Sequence, residues 1–235
     1  MNAQVNFHPD DSVLGQFTRG EMSTGNAVIV SAHVQMCKTC GEKVNKLQNS
    51  AASSWEEAST PDTTLDTSNI DIAALAAEIV QTEQVKMEDA NDLVDVKLEV
   101  LDEPIGLPRV IANVVEQGLK WTRLPGGVTE ANLYIDEATR CEFIYIPPNS
   151  KIPEHTHRGS EMTLILHGSF HDTMGEYSRA DFTLRDPQHQ HQPISDEGCL
   201  CFAVIDAPLK FTRGLAKLMN PYNRYKFKTG RFRPS

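Results

Sequence analysis

Residues 147–170 read PPNSKIPEHTHRGSEMTLILHGSF. His155 and His157 are two apart, so in an extended chain both point to one side, because the side-chain period of a strand is two. Glu161 follows after a short turn and leads into the apolar run Met162–Leu166, which His167-Gly168 is expected to end. Two imidazoles and one carboxylate converging inside a barrel make a three-ligand site for a divalent metal. Zinc, iron, manganese and nickel all accept such donors. Two later histidines, His189 and His191 in RDPQHQHQPIS, are candidates to complete the set, since in a strand both could face inward. His167 and His171 read as turn or surface residues.

Outward from this stretch the chain is broken into short runs of β-branched and aromatic residues: Leu119–Leu124, Leu133–Ile135, Cys141–Ile146, Phe182–Leu184 and Cys199–Val204. Turn signals such as Pro125-Gly126-Gly127 and Asp196-Glu197-Gly198 separate them. Many short strands at this spacing predict an all-β sandwich or barrel, beginning near Val110. Cys199 and Cys201 face one side of their strand and read as adjacent buried thiols or a redox pair. Cys141 reads as a small core residue.

The first fifty residues differ. Asp10, Asp11 or Ser12 caps a helix running to Arg19, and Gly20 stops it. A second helical segment spans about 25–36, although its β-branched residues leave strand open by pattern alone. A third spans about 37–47, and a fourth Asp71–Val80, capped by Ser68 or Asn69. Such helices bury little by themselves and need a metal or a partner. The run AHVQMCKTCGEK supplies one: His33, Cys37 and Cys40 stand at i, i+4 and i+7. On a helix they share a face; alternatively, a helix ends near Cys37 and the cysteines sit on a turn. Three borderline-to-soft donors suit zinc, whose structural sites take four protein ligands. His8, the only other histidine before residue 155, is the candidate fourth. A lone CxxC is also a redox motif.

Charge is unevenly spread. The 235 residues carry a net charge of −10, which disfavours nucleic-acid binding through a broad basic surface. From Glu56 to Glu103 there are fourteen Asp/Glu against two lysines, while 209–235 has eight Lys/Arg and no acid. Residues 51–69, rich in Ser, Thr and acids, read as a linker. Either charge run is a solvated surface, or the acidic middle meets a basic partner. Five cysteines in small groups make a poor disulfide framework. The amino terminus lacks the parts of a secretory signal and no apolar run is long enough to span a bilayer, so a cytoplasmic protein is expected.

The pattern His-x3-Cys-x2-Cys behind an early His and a first helix resembles the zinc-containing anti-sigma domain of the ChrR family. The HxH-x3-E run ending in Gly168 resembles the first cupin motif. Finding both in this order is more specific than either alone. The resemblance implies an α+β two-domain chain: a small N-terminal zinc-binding helical bundle over residues 1–95, a linker over 96–107, and a C-terminal all-β cupin barrel over 108–235 with a basic tail. It implies zinc on His8, His33, Cys37 and Cys40, and a second zinc on His155, His157, Glu161 and His191. His191 is preferred to His189 because the family's ligand precedes x-Pro, here Gln192-Pro193. The second cupin motif departs from its usual form, with Arg179-Ala180 where Pro and Gly are expected.

The family's function follows as an expectation. The chain would inhibit an extracytoplasmic-function sigma factor in the cytoplasm. It would release that factor when the cupin senses a stress, of an oxidative, singlet-oxygen type in this family. The metal residues would be structural and sensory, with no catalytic role. The rival is a metal-dependent cupin dioxygenase or isomerase acting on a small molecule.

Overall fold

The structure is a computed structural model that describes residues 4–57, 71–81, 93–116 and 118–229. Four helices come first: α1 (Asp11–Thr18), α2 (Thr24–Met36), α3 (Lys38–Glu57) and α4 (Ile72–Gln81). A hairpin of β1 (Val94–Val96) and β2 (Ile105–Leu107) and a short helix α5 (Arg109–Val115) follow. The remaining strands are β3 (Trp121–Arg123), β4 (Thr129–Leu133), β5 (Arg140–Ile146), β6 (Ser150–Lys151), β7 (His155–Thr156), β8 (Glu161–Asp172), β9 (Gly175–Ser178), β10 (Phe182–Arg185), β11 (Gln190–His191), β12 (Ile194–Ser195), β13 (Cys199–Ile205) and β14 (Lys210–Phe211). A 3₁₀ turn (Leu215–Met219) and α6 (Asn220–Thr229) close the described chain.

The sheet runs β3-β4-β5-β13-β8-β12-β6, with β9 and β10 also pairing β8, and a second sheet has the order β11-β7-β14. β13 is buried at every position. It has to be, because both of its faces are covered. Leu200, Phe202 and Val204 face a core shared with Ile29 and Val30 of α2, while Cys199 and Cys201 face the barrel interior with Ile165. The period of two divides β5 the same way: Cys141 and Phe143 look toward the helices, and Arg140, Glu142, Ile144 and Ile146 line the interior. Strands buried on both faces read as continuous apolar runs rather than alternations, which is why these were recognisable.

α2 is the wedge between helices and barrel. Ser23 caps it, accepting from the Asn26 N–H. Its β-branched residues have poor helix propensity, but Ile29, Val30, Ala32 and His33 are buried against the sheet and α3, and burial outweighs propensity. Gly25 allows the approach: a Cβ there would overlap Thr139 Oγ1 and the Cys141 sulfur. The Gly25 N–H donates to Asp136 Oδ2 at 2.6 Å.

Several expectations change in detail. β8 does not end at His167-Gly168. It continues to Asp172, and Gly168, at φ +69°, sits where the register with β13 shifts between Leu200 and Cys201. His167 and His171 therefore lie on a strand, not in a turn. α3 runs ten residues further than the reading to Leu47, through the start of the proposed 51–69 linker. Asp71 caps α4 by accepting from the Ala74 N–H, while Ser68 and Asn69 lie outside the described residues. The 96–107 stretch, read as a linker, holds β2 and buries Leu98, Ile105 and Leu107 in the shared core. The C-terminal part is not purely β, since α5 and α6 flank its strands. No described helix is long and apolar enough to cross a membrane.

Candidate metal centres

Two groups of donors come together among the described residues, His8 with His33, Cys37 and Cys40, and His155 with His157, Glu161 and His191. Within each group the donor atoms lie within 4.8 Å of one another. The sequence named these eight residues, and the fold assembles them.

In the first group Cys37 ends α2 in an extended conformation, and its N–H still closes the last helical bond to the His33 carbonyl. The chain then re-enters helix at once, which puts Cys40 in the first turn of α3. Hence the turn geometry applies, not the single helix face. His8 precedes α1 and reaches both thiols: its Nδ1 is 3.4 Å from Cys37 Sγ and 3.5 Å from Cys40 Sγ. In a tetrahedral zinc shell with Zn–S of about 2.3 Å and Zn–N of about 2.0 Å, ligand atoms stand roughly 3.3–3.8 Å apart. His33 Nδ1 donates to the Ala180 carbonyl at 2.9 Å, which leaves Nε2 as the lone pair. That Nε2 is buried without a hydrogen-bond partner among the described residues. Burial pushes the imidazolium down to about 4, so the ring is neutral at physiological pH. Burial, with Cys37 alongside, pushes the Cys40 thiol up to about 12. A cation would reverse this, because a coordinating thiol is deprotonated. An orphaned imidazole nitrogen facing two inward thiols fits a metal and little else.

In the second group the strands supply the register. His155 on β7 pairs directly with His191 on β11, and Glu161 opens β8. His155 Nδ1 donates to the Pro153 carbonyl at 2.9 Å, and His191 Nδ1 faces Asp172 Oδ2 at 3.3 Å. Both rings thus turn unprotonated Nε2 atoms toward each other, 3.0 Å apart. Two lone pairs at that distance repel unless a cation lies between them. His157 Nε2 joins at 3.3 Å from His191 Nε2 and 3.1 Å from Glu161 Oε2. Burial, then the neighbouring His191, pushes His155 down to about 3. Burial would raise the Glu161 carboxyl, but His157, with His191 and His155, outweighs it and holds it at about 2. His189 turns away and binds Asp186 at 2.8 Å. Asp172, which the sequence reading did not single out, orients His191 as carboxylates commonly do for metal-bound histidines. Its only signal was an acid at the end of a strand.

Residues 112–207 match the family described as the ChrR cupin-like domain. Over 222 residues the chain is 27% identical to the anti-sigma-E factor ChrR of Cereibacter sphaeroides, spanning 94% of this chain and 99% of that protein. A chain in the crystal structure of Rhodobacter sphaeroides SigE in complex with the anti-sigma ChrR superimposes with a TM-score of 0.65 at 24% identity, covering 86% of this chain and all of that one. That likeness establishes the fold, helical module and cupin together.

The strand domain and the helical module meet along the segment Tyr177–Phe182. Asp181 is fully buried and accepts from the N–H groups of Asn6 (2.7 Å) and Phe7 (3.0 Å) with one oxygen and from Ser178 (2.8 Å) with the other. The Phe182 N–H donates back to the Phe7 carbonyl. Phe7 stacks on Tyr177 at 4.6 Å between ring centroids. Tyr177 Oη lies 3.4 Å from Asp172, the residue that orients His191. Ala180, whose carbonyl holds His33, has φ +74°, so the alanine occupies the left-handed conformation expected of the family's glycine. A continuous series of contacts therefore joins the two clusters: His191 to Asp172, Tyr177, Phe7 and so His8, with Ala180 to His33 beside it.

Proposed function

We propose that this chain is a cytoplasmic anti-sigma factor, with zinc at both clusters. The helical module would hold an extracytoplasmic-function sigma factor, and the cupin would sense the condition for its release. The observation that carries this reading is the full-length likeness to ChrR, an anti-sigma-E factor, combined with both donor clusters in place. The functional unit of residues 1–95 and the cupin unit of 108–235 then have separate tasks.

The first zinc does no chemistry. His8, His33, Cys37 and Cys40 tie the start of the chain, α2 and α3 together, and a structural zinc can supply most of the folding free energy of so small a module. α4 leaves Ile72, Leu75 and Val80 exposed, apolar surface available to a partner protein. The acidic run around it would complement a basic sigma surface and speed association.

A zinc held by His155, His157, Glu161 and His191 would supply Lewis acidity in the barrel, with Asp172 orienting His191. Release requires that the sensed state bind sigma less well than the resting state. The Tyr177–Phe182 seam supports such coupling, because a shift of His191 presses on the residues that position His8 and His33. The signal would be oxidative, as the family implies.

The test is co-purification of the full chain with an extracytoplasmic-function sigma factor. The wild-type chain is expected to retain it, and Cys37→Ser/Cys40→Ser to lose it. No association with any such factor would remove the reading. A His3Glu centre facing a cavity also suits a cupin dioxygenase or isomerase. Oxygen uptake with an iron-loaded chain and a small-molecule substrate would favour that alternative.

A further inference from the structure

Beside the second cluster the barrel encloses a cavity of about 440 Å³, within the usual range for small-molecule sites. Its walls are mostly apolar, with Val128, Ile144, Ile146, Ile152 and Phe170 among them. One side of it is lined by the C-terminal segment, through Leu215, Met219, Tyr222 and Phe227. Phe227 is 5% exposed although its helix is otherwise polar and basic.

The polar end of the cavity has a defined charge balance. Arg140 is buried between Glu130 (3.6 Å) and Glu142 (2.6 Å), and all three line the cavity with Thr163, Thr183 and Glu161. Three carboxylates and one guanidinium leave two negative charges. A divalent cation at His155, His157, Glu161 and His191 brings the sum to zero. An anionic ligand would then add an uncompensated charge to a water-poor interior, which is costly. An uncharged molecule would not, and the apolar walls favour it.

We propose that this cavity binds an uncharged, largely hydrocarbon molecule, such as a medium-chain ketone, against its apolar walls and Phe227. The proposal deepens the sensory reading of the cupin and rests on it for its regulatory meaning, but not for the binding itself.

The test uses the full chain with verified divalent metal content. N-phenyl-1-naphthylamine, a neutral apolar fluorophore, is titrated in, then displaced by 2-nonanone or by nonanoate at pH 7.5. One probe is expected per chain, and the ketone is expected to displace it at a concentration at least tenfold below the carboxylate. Ile144→Trp, which fills the cavity, is expected to abolish probe binding while the thermal melt and sigma retention stay as in wild type. Met219→Trp, on the C-terminal segment, serves if Ile144→Trp does not fold. Failure of the folded, metal-loaded chain to bind the probe would overturn the proposal, as would nonanoate matching the ketone. Sigma retention is read on the same samples. Its loss with probe binding intact would count against the anti-sigma reading alone.

Discussion

His33, His155 and His191 are each oriented by a contact of Nδ1, and such contacts bear on how tightly metal is held. Asp172 accepts from His191 Nδ1, and the hydrogen bonds it receives, with Arg185 nearby, outweigh burial and keep its carboxyl below the ordinary range. Asp172→Asn is expected to weaken metal at the cupin cluster by about 10–100-fold, the usual loss for such a partner, and to leave the Cys37/Cys40 cluster filled. Competition with a chelator while counting both ions checks this. Gly168 makes a second prediction at this scale. It has φ +69°, and a Cβ would overlap the Gly198 carbonyl, so Gly168→Ala is expected to cost roughly 1–3 kcal/mol in urea unfolding. The ligands were legible because metal chemistry admits few residue types and strand or helix spacing fixes which of them can converge. Asp172 was not, because an orienting carboxylate can stand anywhere the fold returns to the site. Ala180 showed its positive φ only through the resemblance, which expects glycine there.

Among the elements, α2 has the central place, with one face on α3 and the other on β8 and β13. Its anchorage to the barrel includes Asp136, which accepts from Gly25 and Thr139 N–H groups. Burial raises the Asp136 carboxyl, but those hydrogen bonds outweigh it and hold it below its ordinary value. A group depressed in the folded state contributes stability that is fully present above its unfolded pKa, about 3.9, and lost as pH falls through the folded value. Asp136→Asn is therefore expected to lower stability at neutral pH and to flatten the acid limb of the unfolding profile below about pH 4. An acid limb identical to wild type would remove this role. Strand existence was readable because the runs Cys141–Ile146, Met162–Leu166 and Cys199–Val204 are mostly apolar. The ends were not. The polar tail of α3 carries no apolar stripe after Leu47, and α6 reads as a basic tail because, of its described side chains, Phe227 alone is buried.

Across the whole molecule, the helices and the strand domain share one hydrophobic core, from Leu14 and Ile29 through Ile111 to Phe143 and Phe202. The sequence suggested two units joined by a linker, and it could not show this seam, because Phe7, Tyr177 and Asp181 lie some 170 residues apart and carry no local signature. Asp181→Ala leaves the three part-buried N–H groups of Asn6, Phe7 and Ser178 without their acceptor, and a loss of about 1–3 kcal/mol is expected for each one that water does not reach. If the seam carries the signal, Phe7→Ala is expected to lower the response of sigma affinity to removal of the cupin metal without abolishing sigma binding. An unchanged response would show that the two clusters work independently. The account's central claim is that the metal at His8, His33, Cys37 and Cys40 holds the helices in the form that grips a sigma factor. The most direct measurement is the Kd of the full chain for an extracytoplasmic-function sigma factor, before and after that ion alone is removed. At least a tenfold loss, restored by zinc, is predicted; an unchanged Kd with the cysteines verified empty would contradict it.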